Sequence, residues 1–159
     1  MHRLLSALAL FLLPLAAIGC ASPPIQTDVH SVVSNPEAFA GKRIQVTAPV
    51  AENTLSTNGH AVWRLVLGAP PETMLAYEEG VNVAILRDCA SLADEAGRAG
   101  RPVSVTGILR TGAFEAHVSG VRLDMETFEY DGEIIETDYR DYEPPSVTFG
   151  WGAGWSWYW

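Results

Sequence analysis

The sequence predicts a mainly β protein. A small five-stranded barrel should carry a helix between strands 3 and 4. A short N-terminal helix comes first, and an acidic hairpin and an aromatic C-terminal strand follow. Three observations predict this. Apolar residues recur with period two over 42–50 and 103–109. Turn residues separate several short apolar runs. One segment, Asp88 to Gly100, carries the clearest helix signals.

The chain opens with Met1-His2-Arg3 and an apolar run from Leu4 to Ile18, broken at Pro14. The run ends Ala17-Ile18-Gly19-Cys20. A basic start, a short apolar core and small residues before a cleavage point make a secretory signal peptide over 1–19. The core is too short to span a bilayer comfortably. Residues 20–27, with Ser22, Pro23 and Pro24, read as a short tether.

Thr27 or Asp28 can cap a short helix that carries Val29, Val32 and Val33. Pro36 starts a second helical piece, which Gly41 ends. In the first strand Ile44, Val46, Ala48 and Val50 alternate with Arg43, Gln45, Thr47 and Pro49. Pro49 has no N–H for a ladder, so it belongs at a bend or edge. The polar stretch 53–59 reads as a turn. Strand two covers 62–67, with Trp63, Leu65 and Leu67 on one face. Pro70-Pro71 closes it. Val81 to Leu86 is the expected third strand.

The helix follows, with Asp88 or Ser91 as cap and Gly97 or Gly100 as stop. Strand four alternates through Val103, Val105, Gly107 and Leu109. Strand five is expected from Phe114 to Leu123, with a bulge near Ser119-Gly120. The expected core includes Ile44, Val46, Trp63, Leu65, Val83, Ile85, Val105 and Leu123. The barrel domain should cover 28–125, and an acidic hairpin or linker 126–146.

Charge separates these regions. The chain carries 19 acids against 10 bases, a formal net charge of −9. From Asp124 to Glu143 the acids face only one base, Arg140. Asp131-Gly132 reads as a two-residue hairpin turn within that stretch. Its acid spacing fits no EF-hand loop, so a solvated hairpin is the better reading than a calcium site. No basic cluster offers a footprint for phosphates, which argues against a nucleic-acid partner.

Cys89 is the only cysteine left once Cys20 is set aside. No intramolecular disulfide is then available, and a small buried hydrophobe is the simpler reading than a reactive thiol. His30, His60 and His117 show no metal-ligand spacing. No serine-nucleophile elbow, zinc-protease motif or phosphate loop is present, so neither a cofactor nor a catalytic residue is predicted.

The C-terminal stretch 147–159 is the least ordinary. Val147, Phe149, Trp151, Ala153, Trp155, Trp157 and Trp159 occupy its odd positions, with Gly, Ser, Thr and Tyr between. Four of the five tryptophans lie here, so one face of an extended tail would be almost wholly aromatic. Such a face favours a membrane interface or a partner over water.

Two sets of resemblances follow from these residues. Ala17-Ile18-Gly19-Cys20 resembles a bacterial lipobox, which implies acylation of Cys20 as the first mature residue. Ala21 after it favours, by the same resemblance, the outer membrane. The order of elements resembles the oligonucleotide/oligosaccharide-binding (OB) fold. Asn35-Pro36-Glu37-Ala38-Phe39-Ala40-Gly41-Lys42-Arg43-Ile44-Gln45-Val46 resembles the start of envelope OB-fold proteins, with Phe39 packing under the barrel. Gly100 to Leu109 resembles their fourth strand, its glycine at a close approach.

With the lipobox and the aromatic tail, the chain is similar to outer membrane lipoproteins of the Slp type. Gly154-x-x-Trp157-x-Trp159 also resembles the terminal signal of outer-membrane barrel strands, departing from it at Ala153. These resemblances imply a non-enzymatic lipoprotein of the outer membrane, held by its lipid and facing the periplasm. Its role would be envelope maintenance, or binding of a protein, glycan or small ligand. Phe149, Trp151, Trp155, Trp157 and Trp159 would supply a second contact with membrane or an envelope protein. The alternatives are an accessory subunit of a membrane complex, joined through the C-terminal strand, and a periplasmic hydrolase.

Overall fold

The computed structural model describes residues 22–58, 60–80, 82–114 and 119–137. Cys20 and the whole aromatic tail lie outside them.

The described chain forms eight strands and two α-helices. Strand β1 (Ile25–Thr27) leads into α1 (Val29–Ser34) and a 3-10 turn at Pro36–Ala38. Then come β2 (Arg43–Ala48), β3 (Val50–Ser56), β4 (Ala61–Ala69) and β5 (Glu72–Gly80). Helix α2 (Val83–Ala99) precedes β6 (Val103–Thr111), β7 (Val121–Tyr130) and β8 (Glu133–Glu136).

The strands form one sheet in the order β1-β2-β6-β7-β5-β4-β3, with β8 added to β7. Only Pro49 separates β2 from β3, yet these two lie far apart in that order. The sheet must therefore curl until chain continuity joins its two sides. The Gly68 N–H bonds the Pro49 carbonyl across the junction at 2.9 Å. This open, curled sheet is OB-fold-like.

The core lies inside the curl. Ile44, Val46, Trp63, Leu65, Val105 and Leu123 are all buried, as their alternation predicts. Phe128 and Tyr130 join them from the second half of β7. Trp63 meets Phe128 edge to face, with ring centroids 5.2 Å apart. Cys89 is buried too, as expected of a small hydrophobe. Phe39 packs against the same core.

Several local signals act as read. Asp28 caps α1, accepting the Ser31 N–H at 2.8 Å. Gly100 ends α2 in the left-handed region, and Gly41 reverses the chain into β2 at φ +71°. Asp131 and Gly132 both take positive φ and turn β7 into β8. At Gly107 a Cβ would sit 2.0 Å from the Asp124 carbonyl oxygen, so the close approach expected there is real.

Other expectations are corrected. The described residues form eight strands, where five barrel strands and an acidic hairpin were expected. Val81–Leu86 is not the third strand: Val83 to Leu86 open α2, capped by Asn82 rather than Asp88 or Ser91. Val83 and Ile85 are therefore only partly buried, packed on the core from a helix. The missed strands are β1, inside the expected tether 20–27, and β5. Residues 53–56 belong to β3 rather than to a turn. The last long strand starts at Val121, not at Phe114. The bulges fall between Val50 and Glu52 and between Thr106 and Gly107, not at Ser119-Gly120.

Candidate functional site

The outer side of the sheet carries a polar cluster beside a cavity. It arises where β5 and β7 pair in parallel, Leu75 against Arg122 and Tyr77 against Asp124. Alternation along each strand sends Tyr77 and Glu79 from β5, and Arg122 and Asp124 from β7, to that side. Antiparallel pairing of β6 with β7 puts Arg110 opposite Arg122.

Arg122 is the centre. Its guanidinium carbon lies 4.7 Å from the Tyr77 ring centroid and 4.7 Å from that of Phe114. Each such cation–π contact contributes about 0.5–2 kcal/mol, more as water is excluded. Arg122 Nε donates to Asp124 Oδ1 at 2.8 Å, and Arg110 Nε donates to Asp124 Oδ2 at 3.0 Å. Asp124, largely screened from solvent, thus sits between two guanidinium groups. The Tyr77 hydroxyl donates to Glu79 at 3.1 Å. Burial, followed by that bond, pushes the Tyr77 hydroxyl above the ordinary tyrosine range.

Beside this cluster is an open cavity of about 210 Å³ lined by Tyr77, Glu78, Glu79, Arg122 and Asp124. Glu78 is a buried carboxylate, set opposite Trp63 in the β4–β5 ladder. The cavity presents an aromatic ring, a guanidinium held in place and several carboxylate oxygens within one small space. Such a mixture can hydrogen-bond to both donors and acceptors on a ligand.

Cys20, Phe149, Trp151, Trp155, Trp157 and Trp159 lie outside the described residues, as does His117. His30 lies on α1, 2.9 Å from Glu72 of β5, and His60 is exposed before β4. No group of three or more potential metal ligands occurs among the described residues. Sequence reasoning missed Tyr77, Glu79, Arg122 and Asp124. Their only linear signal is alternation within 77–79 and 122–124; what joins them is the pairing of Tyr77 with Asp124, nearly fifty residues further along the chain.

No family model matches the chain, and no curated protein does. Solved structures do. OBody AM3L09 bound to hen egg-white lysozyme is 16% identical; the match covers 74% of this chain and 100% of that one, at a TM-score of 0.46. OBody AM3L15 bound to the same lysozyme is 19% identical over 74% of this chain and 98% of its own, at 0.43. Aspartyl tRNA synthetase from Entamoeba histolytica is 16% identical over 70% of this chain but only 21% of its own, at 0.42. The likenesses concern fold alone.

Proposed function

We propose that this chain is a non-enzymatic lipoprotein of the bacterial outer membrane, similar to the Slp type. It would be anchored through Cys20 and display an OB-fold-like domain that binds an envelope component. The observation that carries the reading is Ala17-Ile18-Gly19-Cys20 at the end of a short apolar run, a few residues before the first described strand. The Tyr77–Arg122 cavity supplies a binding surface on that domain. Tyr77 pairs with Glu79 and Arg122 with Asp124, which suits recognition better than bond-breaking. A protein, a glycan or a small ligand remains the occupant class, and the role is envelope maintenance.

The aromatic tail is the second contact, with membrane or with a neighbouring envelope protein. An accessory-subunit role stands second, and one feature favours it. Strand β8 takes only β7 as ladder partner among the described strands, so its other edge offers a template for a further strand.

Mass spectrometry of the mature N-terminus tests the anchor: an acylated Cys20 is expected, and an unmodified N-terminus on protein free in the periplasm refutes the proposal. Crosslinking and co-purification from intact envelopes test the tail. A Trp155→Ser, Trp157→Ser, Trp159→Ser variant should remain acylated and folded yet lose its partner or its detergent-resistant association. Wild-type behaviour in both assays makes the tail a passive extension.

A further inference from the structure

The Tyr77–Arg122 cavity opens at a break in the sheet. The pairing of β5 with β7 ends at Tyr77 and Asp124. Strand β8 joins the same edge of β7 only from Glu126, whose carbonyl accepts the Thr137 N–H at 2.8 Å. Between those points β7 has lost one neighbour and not yet gained the next. Tyr77, Glu79, Arg122 and Asp124 line the gap from the outer side, and buried Glu78 lines it from the inner one.

We infer that this cavity takes a small zwitterion: an ammonium group a few atoms from an oxyanion, as in a free amino acid. This deepens the binding role proposed above and rests on it.

A separation of charge across the cavity carries the inference. On the β7 side, two guanidinium groups share one carboxylate. Arg122 Nε donates to one Asp124 oxygen, and Arg110 Nε donates to the other. A surplus positive charge is left there. Both bonds use Nε, so the terminal nitrogens of Arg122 keep their own N–H donors for a ligand. The Tyr77 and Phe114 rings hold this guanidinium, each centroid 4.7 Å from its carbon. A guanidinium already fixed loses little freedom on binding, and its fork matches an oxyanion.

On the β5 side the sign reverses. Glu79 is exposed and accepts from the Tyr77 hydroxyl at 3.1 Å. It forms no ion pair among the described residues. Glu78 adds a second carboxyl group beside it. One tyrosine ring sets the spacing of the two signs: the Arg122 guanidinium lies over the ring, and Glu79 meets its hydroxyl. A small amino acid bridges such a gap with a hydrogen bond of about 2.9 Å at each end.

Other ligand classes match only part of this arrangement. An anion alone meets Glu78 and Glu79, and a cation alone meets Arg122. A neutral sugar stacks on an open aromatic face, and Arg122 already occupies a face of Tyr77. A zwitterion answers both signs at once.

The test titrates the full lipidated chain in detergent micelles and follows the amide NMR signals of Tyr77, Glu79 and Arg122. The probes are alanine, O-phosphoethanolamine, propionate and ethylamine. Propionate is alanine without its ammonium, and ethylamine is alanine without its carboxylate. The Kd for alanine is expected to lie roughly tenfold or more below that of either single-charge probe. O-phosphoethanolamine carries the same chemistry as a lipid headgroup does. Tighter binding than alanine assigns the natural ligand to a headgroup, and weaker binding assigns it to a free amino acid. Glu79→Gln removes the charge but keeps an acceptor for Tyr77. It should weaken alanine about tenfold and strengthen propionate, a reversal that loss of the fold does not produce. Zwitterions that bind no tighter than propionate and ethylamine, or that shift signals only away from these residues, overturn the inference.

The binding role itself is read separately, from envelope crosslinking of Tyr77→Ala. Lost crosslinks with no preference for zwitterions overturn the ligand class alone. Crosslinks that persist, again with no such preference, overturn the cavity as a binding surface as well.

Discussion

Trp63 donates its indole N–H to the side-chain oxygen of Asn53 at 2.6 Å, inside a junction that no single element supplies. The indole is buried in the core. Asn53, on β3, uses its amide group on α2, donating to the Ala90 carbonyl at 2.8 Å and to Asp94 at 2.7 Å. One side chain thus fastens the helix to the sheet and satisfies the only polar atom of the largest core residue. Buried donors left unpaired cost about 1–3 kcal/mol.

Asn53→Ala should therefore destabilise the domain by about 1–3 kcal/mol, since it orphans the Trp63 N–H. Trp63→Phe also removes the donor, and should narrow the gap between Asn53 and Asn53→Ala in a double-mutant cycle. Denaturant unfolding followed by circular dichroism measures both. Additive effects would show that the bond contributes nothing.

Two glycines should respond in opposite directions to alanine. At Gly107 the added Cβ meets backbone, 2.0 Å from the Asp124 carbonyl oxygen, so Gly107→Ala should prevent stable folding. At Gly97, inside α2, the nearest atom is 3.9 Å away. Gly97→Ala should stabilise the helix by up to about 1 kcal/mol. Thermal melts of the two variants check the contrast.

Cys89 should be chemically silent in the folded protein. Burial pushes its thiol up to about 12, and the carboxylate of Asp88 adds to the shift. The reactive thiolate is scarce at neutral pH, and its sulfur is shielded. A thiol reagent should modify Cys89 only as denaturant unfolds the domain. Rapid modification of native protein would place the residue at the surface.

His30 should titrate above its ordinary range, because the Glu72 carboxylate bonds its ring. Its folded pKa exceeds the unfolded value of about 6.5, so the contribution is present below that pH and is lost as pH rises through the folded pKa. Both groups are exposed, so salt should weaken the effect. An NMR titration should show the His30 midpoint falling in Glu72→Gln. An unchanged midpoint would mean that the pair does not form in solution.

Elements with one dry and one wet face were legible in the sequence. Ile44 and Val46, Trp63 and Leu65, and Val103 and Val105 alternate because each strand buries one side only, and period two follows directly. Caps and turns were legible too at Asp28, Gly41, Gly100 and Asp131-Gly132, where a backbone conformation demands a residue type locally.

Strand β5 was not legible, because its neighbours break the alternation. Met74, Leu75 and Ala76 are all buried in succession, with Leu75 on a strand that α1 packs against, and Glu78 is buried in phase with Met74 and Ala76. The run from Val83 to Leu86 reads equally as strand or helix until β3, β4 and β7 give α2 a surface to cover. The candidate site belongs wholly to tertiary structure. Tyr77 and Arg122 meet because two strands pair in parallel, and a parallel pairing leaves no turn between its partners for a sequence to display.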